Sequence, residues 1–249
     1  MTEKYNENFY AVRNDLTVYA AKVILDLVRD VIPPISSAVD LGCGVGTWLS
    51  MLKRRGTNTI VGFDGPWVNK ELLEISEENF VQQDLTSHIP VTEHYDLAIS
   101  LEVAEHLPVE SSKDFIASLT NLSDFVLFSA AIPGQGGVGH INEQWPNYWI
   151  SLFDEHEYRC VDFIRKQIWR DENIPYWYRQ NIFLFVKEDR LSDLKLNNPL
   201  KNHIPPELYL LSYKRLVVRP EIKLANIVFL RAIQRLLRKI PAIVLKAKK

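Results

Sequence analysis

The sequence predicts an α/β fold in which a mostly parallel β-sheet carries helices on both faces, followed by a basic helical appendage. Three observations carry that prediction. The stretch Val39-Asp40-Leu41-Gly42-Cys43-Gly44-Val45-Gly46-Thr47-Trp48 runs from an apolar segment through a glycine-rich turn into a helix-like segment, the strand-turn-helix unit of open parallel sheets. Further strand-like segments alternate with helical ones downstream, as parallel crossovers require. With 249 residues, 47% hydrophobic and 24% charged, the chain can also bury a substantial core.

Residues 15–32 place Leu16, Tyr19, Ala20, Val23, Leu27 and Val31 at three- and four-residue spacings, an amphipathic helix that stops at Pro33-Pro34. The first strand enters the glycine turn, where the lack of Cβ atoms lets the backbone bend sharply and a ligand approach the main chain. A helix follows to Gly56, then a strand over Thr59-Ile60-Val61-Gly62-Phe63 that ends on Asp64-Gly65-Pro66. A third strand is expected in residues 79–85, a fourth in Tyr95–Ser100, a helix over 111–121 and a buried fifth strand over 124–130. A sixth strand is expected within Tyr158–Ile168 and a seventh over Gln180–Val186, joined by an aromatic connection through Trp169, Tyr176, Trp177 and Tyr178. These segments divide the chain into an N-terminal helix or cap (1–36), a central domain (37–188) and a linker with a helical tail (189–249).

The two cysteines, Cys43 and Cys160, form no disulfide framework or cysteine zinc signature, which fits a reducing compartment. The polar N-terminus does not read as a secretory leader and no apolar run approaches the length of a membrane span, so a cytoplasmic protein is expected. Charge is unevenly distributed. Residues 208–249 hold 11 Lys or Arg and one acidic residue, a charge of +10 against −12 for the remainder. Phe229, Ile233, Leu236, Leu237 and Ile240 share one helical face and Arg231, Arg235 and Arg238 the other, a pattern suited to an anionic membrane surface at the inner face or to a protein partner. Nucleic acid is disfavoured by the acidic body.

The glycine turn resembles motif I of the class I S-adenosylmethionine-dependent methyltransferases, in which an acidic and an apolar residue precede G-x-G-x-G. The dinucleotide fingerprint fits less well, because after Gly44 and Gly46 its third glycine would fall on Leu49. The resemblance implies a Rossmann-like, seven-stranded sheet with an antiparallel edge hairpin, and it implies S-adenosylmethionine as cofactor. It places Asp40, Gly42, Cys43, Gly44 and Gly46 around the cofactor, Asp64 on the ribose hydroxyls, Asp84 and Leu85 at the adenine, and Ser100 and Glu102 at the end of the "YDL" strand. The preceding segment with Tyr5, Phe9, Tyr10 and Arg13 either closes over the cofactor, as in many relatives, or straps the core.

The acceptor side is read from two further stretches. In Leu101-Glu102-Val103-Ala104-Glu105-His106-Leu107, a helical turn would put Glu102, Glu105 and His106 on one face. With His140 they could ligate a divalent metal such as Mg or Mn. A similar E-x-x-E-H set binds metal in the small-RNA 3'-end methyltransferases and in ubiquinone-pathway O-methyltransferases, whereas "E-H-L" is also common in metal-free relatives. The loop Pro133–Trp149, with His140, Asn142, Glu143, Gln144, Trp145 and Tyr148, is similar to a "G-H-x-N-E-Q-W" segment of methyltransferases from surface-polysaccharide and natural-product neighbourhoods. Asn142, Glu143, Trp145 and Tyr148 are therefore candidates for binding the acceptor, with Trp149 and Phe153 in the core. His106, His140 and Glu105 are the candidate catalytic groups, since a hydroxyl needs a base or metal to become a nucleophile. The expected activity is O-methylation of a sugar, glycan or related small polar metabolite; a metal-dependent RNA 2'-O-methyltransferase and a silent cofactor-binding scaffold remain as alternatives.

Overall fold

Seven strands form one sheet in the computed structural model, which describes residues 7–87, 89 and 93–196. They are β1 (Ser37–Leu41), β2 (Thr59–Asp64), β3 (Phe80–Gln82), β4 (Leu97–Leu101), β5 (Phe125–Ser129), β6 (Tyr158–Val161) and β7 (Phe183–Lys187), in the order β3-β2-β1-β4-β5-β7-β6. Strands β1 to β5 pair parallel, and β7 runs antiparallel to both β5 and β6. The strand order reverses between β1 and β4, so the C-terminal edges of these two strands form the crevice in which open α/β sheets take ligands. Both carry the stretches singled out above.

The helices are α1 (Glu7–Val31), α2 (Thr47–Arg54), α3 (Ser112–Leu122), α4 (Pro146–Asp154), α5 (Ile164–Ile168) and α6 (Tyr176–Asn181). Alternation along β4 separates two core layers. Leu97, Ile99 and Leu101 face a layer with Ile24, Leu25, Leu52 and Ile164, while Ala98 faces Phe115, Ile116, Trp149 and Phe153. Trp149 and Phe153 are core residues, as their spacing suggested.

Three elements refine the sequence prediction. Helix α1 buries Ala20, Ala21, Ile24, Leu25 and Val28, whereas Leu16 and Tyr19 are exposed, so the buried stripe is rotated from the one predicted. Tyr19 instead donates from its hydroxyl to Asp171 at 2.9 Å. The helix shares one core with the sheet. Second, β6 occupies the start of the segment expected to hold it and residues 164–168 are helical, with Arg165 inside the protein, paired with buried Asp162, donating to the Gln180 carbonyl at 3.0 Å and standing 4.2 Å over the Phe183 ring. Third, Gln180 and Asn181 end α6 and do not open β7; their amides turn inward to the site described below.

The chain divides into units Met1–Ile204 and Pro205–Lys249. The basic tail lies outside the described residues, as do Tyr5 and the side chains of Phe9, Tyr10 and Arg13. Among the described residues no helix is long and apolar enough to cross a membrane.

The packing of α1 predicts that Ile24→Ala, a truncation at a fully buried position, costs about 2–5 kcal/mol in urea unfolding. Leu16→Ala, on the exposed face, should stay within about 0.5 kcal/mol of the parent. Equal effects would place α1 outside the core.

Candidate functional site

Parallel pairing of β1 with β2 brings the glycine turn beside Asp64. Gly42 and Cys43 donate to the Phe63 carbonyl at 2.7 and 3.1 Å, and Gly44 donates to Asp64 Oδ2 at 2.7 Å while Gly65 donates to Oδ1 at 2.7 Å. The carboxylate is thus clamped from both sides by main-chain amides. Gly42, at φ +87°, packs so closely that a Cβ would stand 2.3 Å from Val103 Cγ2, whereas at Gly44, φ +56°, a Cβ would meet nothing within 4 Å. The turn is closed on its β4 side and open at Gly44, which leaves main chain accessible to a ligand.

Asp40 sits beneath the turn at 2% exposure. Burial first, and the charge of Asp64 second, hold its carboxyl well above the usual carboxylate range; burial also raises Asp64, against the opposing amides of Gly44 and Gly65. Two neighbouring buried acidic groups favour a cationic ligand, and the sulfonium and ammonium of S-adenosylmethionine meet that requirement. The residues of this turn therefore fit the cofactor. The other cofactor candidates lie around it unevenly. Cys43 and Leu85 are buried walls, and Ser100 is fully buried with its Oγ lacking a hydrogen-bond partner. Asp84 is exposed and uses Oδ1 to accept from the Thr86 amide and hydroxyl at 2.9 and 2.7 Å, an Asx turn at the sheet edge.

The segment after β4 does not form the helical turn that the sequence suggested. Glu102 has φ +56°, a left-handed conformation that costs a non-glycine residue of order 1 kcal/mol, and a short 3-10 turn begins only at Ala104. Glu102 is consequently turned away from its expected partners. Its Oε1 accepts from Asn181 at 3.0 Å and its Oε2 from Gln135 at 2.8 Å, and Asn181 also donates to Gln135 at 2.8 Å. Glu102 thus drops out of the metal set, and Gln135 and Asn181, which sequence reasoning missed, enter the site. The glycine-rich loop hid the first; assignment to a strand hid the second.

The groups that do converge are Glu105, His106 and His140, whose potential ligand atoms lie within 4.8 Å of one another. The two imidazoles meet edge to face at 4.8 Å, and His140 Nε2 lies 3.9 Å from Glu105 Oε1. Glu105 is fully buried, and neither carboxylate oxygen has a hydrogen-bond partner of good geometry. Burial, then the charge of Glu102, push its carboxyl well above the usual range. An orphan carboxylate facing two imidazoles fits a divalent cation; the nitrogen-rich set suits Mn better than Mg, which prefers oxygen ligands.

The loop candidates separate by environment. Asn142 is a correction: at 3% exposure it donates to Ser112 Oγ at 3.0 Å, so it anchors the loop and does not face an acceptor. Glu143 is likewise turned into its own loop, 2.9 Å from His140 Nδ1. Trp145 is 49% exposed at the start of α4, and Tyr148 is half-buried with its ring 4.9 Å from that of Trp149.

Comparison with known proteins bears on this geometry. Residues 13–165 match a family model described as a methyltransferase domain. No curated protein matches the sequence. Among solved structures, DesVI from Streptomyces venezuelae superposes with a TM-score of 0.54 at 14% identity, covering 72% of this chain and 95% of its own. The magnesium protoporphyrin IX methyltransferase ChlM from Synechocystis PCC 6803, crystallised with bound S-adenosylmethionine, gives a TM-score of 0.52 at 20% identity over 74% of this chain and 85% of its own. At these identities the likeness is one of fold.

The orphan state of Glu105 predicts a pH signature. Its carboxyl titrates higher in the folded chain than in the unfolded one, so between those two values folding takes up a proton and the parent loses stability as pH rises. Glu105→Gln removes that loss. Its Tm should match the parent near pH 4 and exceed it increasingly toward pH 8, by about 2–4 °C for each kcal/mol recovered. A pH-independent difference in thermal melts would show that Glu105 is ordinarily ionised.

Proposed function

The chain belongs to the methyltransferase domain family and uses S-adenosylmethionine, and from that premise we propose that it methylates a hydroxyl of a sugar, glycan or related small polar metabolite. The observation that carries this reading is the convergence of Glu105, His106 and His140 on the segment that packs directly against the glycine turn through Val103 and Gly42.

The bound cofactor supplies an electrophilic methyl group on a sulfonium. The protein's task is then to align an acceptor oxygen with it and to take away the hydroxyl proton. Asp64, clamped by Gly44 and Gly65, presents fixed acceptor oxygens for ribose hydroxyls. Asp40 lies buried below the turn, where a cationic cofactor would favour its ionised form. Glu105, His106 and His140 would hold a divalent cation, which would lower the pKa of the acceptor hydroxyl. In the version of the reaction without a cation, His140, on the glycine-rich loop, would itself take the proton. The exposed indole of Trp145 offers a stacking face for a sugar ring. The polar, carboxylate-rich lining and this aromatic support a polyhydroxylated acceptor over an apolar one.

Calorimetry with S-adenosylmethionine followed by a methyl-transfer screen over sugars and nucleotide sugars tests the assignment; tight cofactor binding with no transfer to any hydroxyl acceptor would overturn it. His140→Ala and His106→Ala should each lower turnover about 10²–10⁴-fold with cofactor affinity retained. Exhaustive EDTA treatment should abolish activity and Mn should restore it; activity unchanged by EDTA leaves His140 as base and removes the metal. Asp64→Asn should weaken cofactor binding about tenfold to a hundredfold, the worth of a charged hydrogen-bond acceptor.

A further inference from the structure

We infer that Glu143 is a positioning residue that sets both the orientation and the tautomer of His140, so that Nε2 is the working nitrogen. This rests on the reading of His140 as base or metal ligand. Glu143 Oε2 accepts from the Gly134 amide at 2.7 Å, and Oε1 accepts from the Gly136 amide at 2.8 Å. The same Oε1 lies 2.9 Å from His140 Nδ1. Main-chain N–H groups on both oxygens make this carboxyl an acceptor at each end, so Nδ1 carries the proton of the neutral imidazole and the lone pair is left on Nε2. Nε2 is the nitrogen on the Glu105 side, 3.9 Å from Oε1.

The loop also packs closely on the ring. A Cβ on Gly137 would stand 2.1 Å from His140 Nε2 and 2.4 Å from Cε1, so the ring lies directly against bare main chain. One carboxylate therefore closes the loop from Gly134 to Glu143 and selects the nitrogen that faces the buried acid. A carboxylate behind an imidazole fixes the ring's orientation, and removing such a partner typically costs 10–100-fold.

The test is long-range 1H–15N correlation of the full-length protein, labelled at histidine, treated with EDTA and recorded at pH 8, with the His140 signals identified by their loss in His140→Gln. The parent should show the Nδ1–H tautomer alone. Glu143→Gln, which can still accept one amide but offers an NH2 group to the ring, should populate the Nε2–H tautomer. Its kcat should fall about 10–100-fold while the Kd for S-adenosylmethionine stays within about twofold. An Nε2–H tautomer in the parent, or an unchanged tautomer in Glu143→Gln, overturns the inference. The parent spectrum decides the first point even if the variant fails to fold. Full turnover in His140→Ala would instead refute the role of His140 and leave the tautomer result standing, so the two failures are distinguishable.

Discussion

Carboxylates gripped by main-chain amides hold this site together. At the end of β2, Asp64 takes one amide from the glycine turn and one from Gly65. In the loop after β5, Glu143 takes one from Gly134 and one from Gly136. Hydrogen bonds to an ionised group contribute about 1.5–3 kcal/mol each, enough to offset the cost of drawing a partly buried carboxylate out of water and to give a glycine-rich segment one conformation. Without such anchors both loops would lose the backbone geometry on which the reactive groups depend.

Between these two anchors lie acids in unlike environments. Glu102 is wrapped by the amides of Gln135 and Asn181, whereas Glu105, three residues later, has no good hydrogen bond at all. The contrast arises from one left-handed residue. Because Glu102 leaves β4 with φ +56°, its side chain points toward α6 and the neighbouring acid points toward the histidines. Groups of the same chemistry held at different proton affinities are a common mark of catalytic sites. The surrounding fold is arranged to keep that difference: buried Arg165 braces the α5–α6 junction that supplies Asn181.

The loop between β5 and α4 is fastened twice more. The amides of Ile141 and Asn142 donate to the Glu105 carbonyl at 2.9 and 3.0 Å, and the Asn142 side chain reaches Ser112 at the start of α3. The segment carrying His140 is thereby stitched to the segment carrying Glu105. Donor and acceptor halves of the site share one backbone framework, since Val103 between Glu102 and Glu105 is also the residue on which Gly42 rests.

Much of this was legible in the sequence. The seven strand segments, the glycine turn with Asp40 and Asp64, and the two histidine-bearing stretches were determined locally, because apolar alternation, β-branched runs and glycine punctuation express short-range steric rules. The rest needed long-range contacts. Helix α1 has apolar residues around more than half its circumference, so two stripes satisfied the spacing equally, and only packing against the sheet chose Ala20, Ile24 and Val28 over Leu16 and Tyr19. The roles of Gln135, Asn181, Asn142 and Glu143 were decided likewise by tertiary structure. A polar side chain's function depends on what faces it, and its partners here stand 79 residues away for Asn181 and 30 for Asn142, a distance that no local pattern encodes.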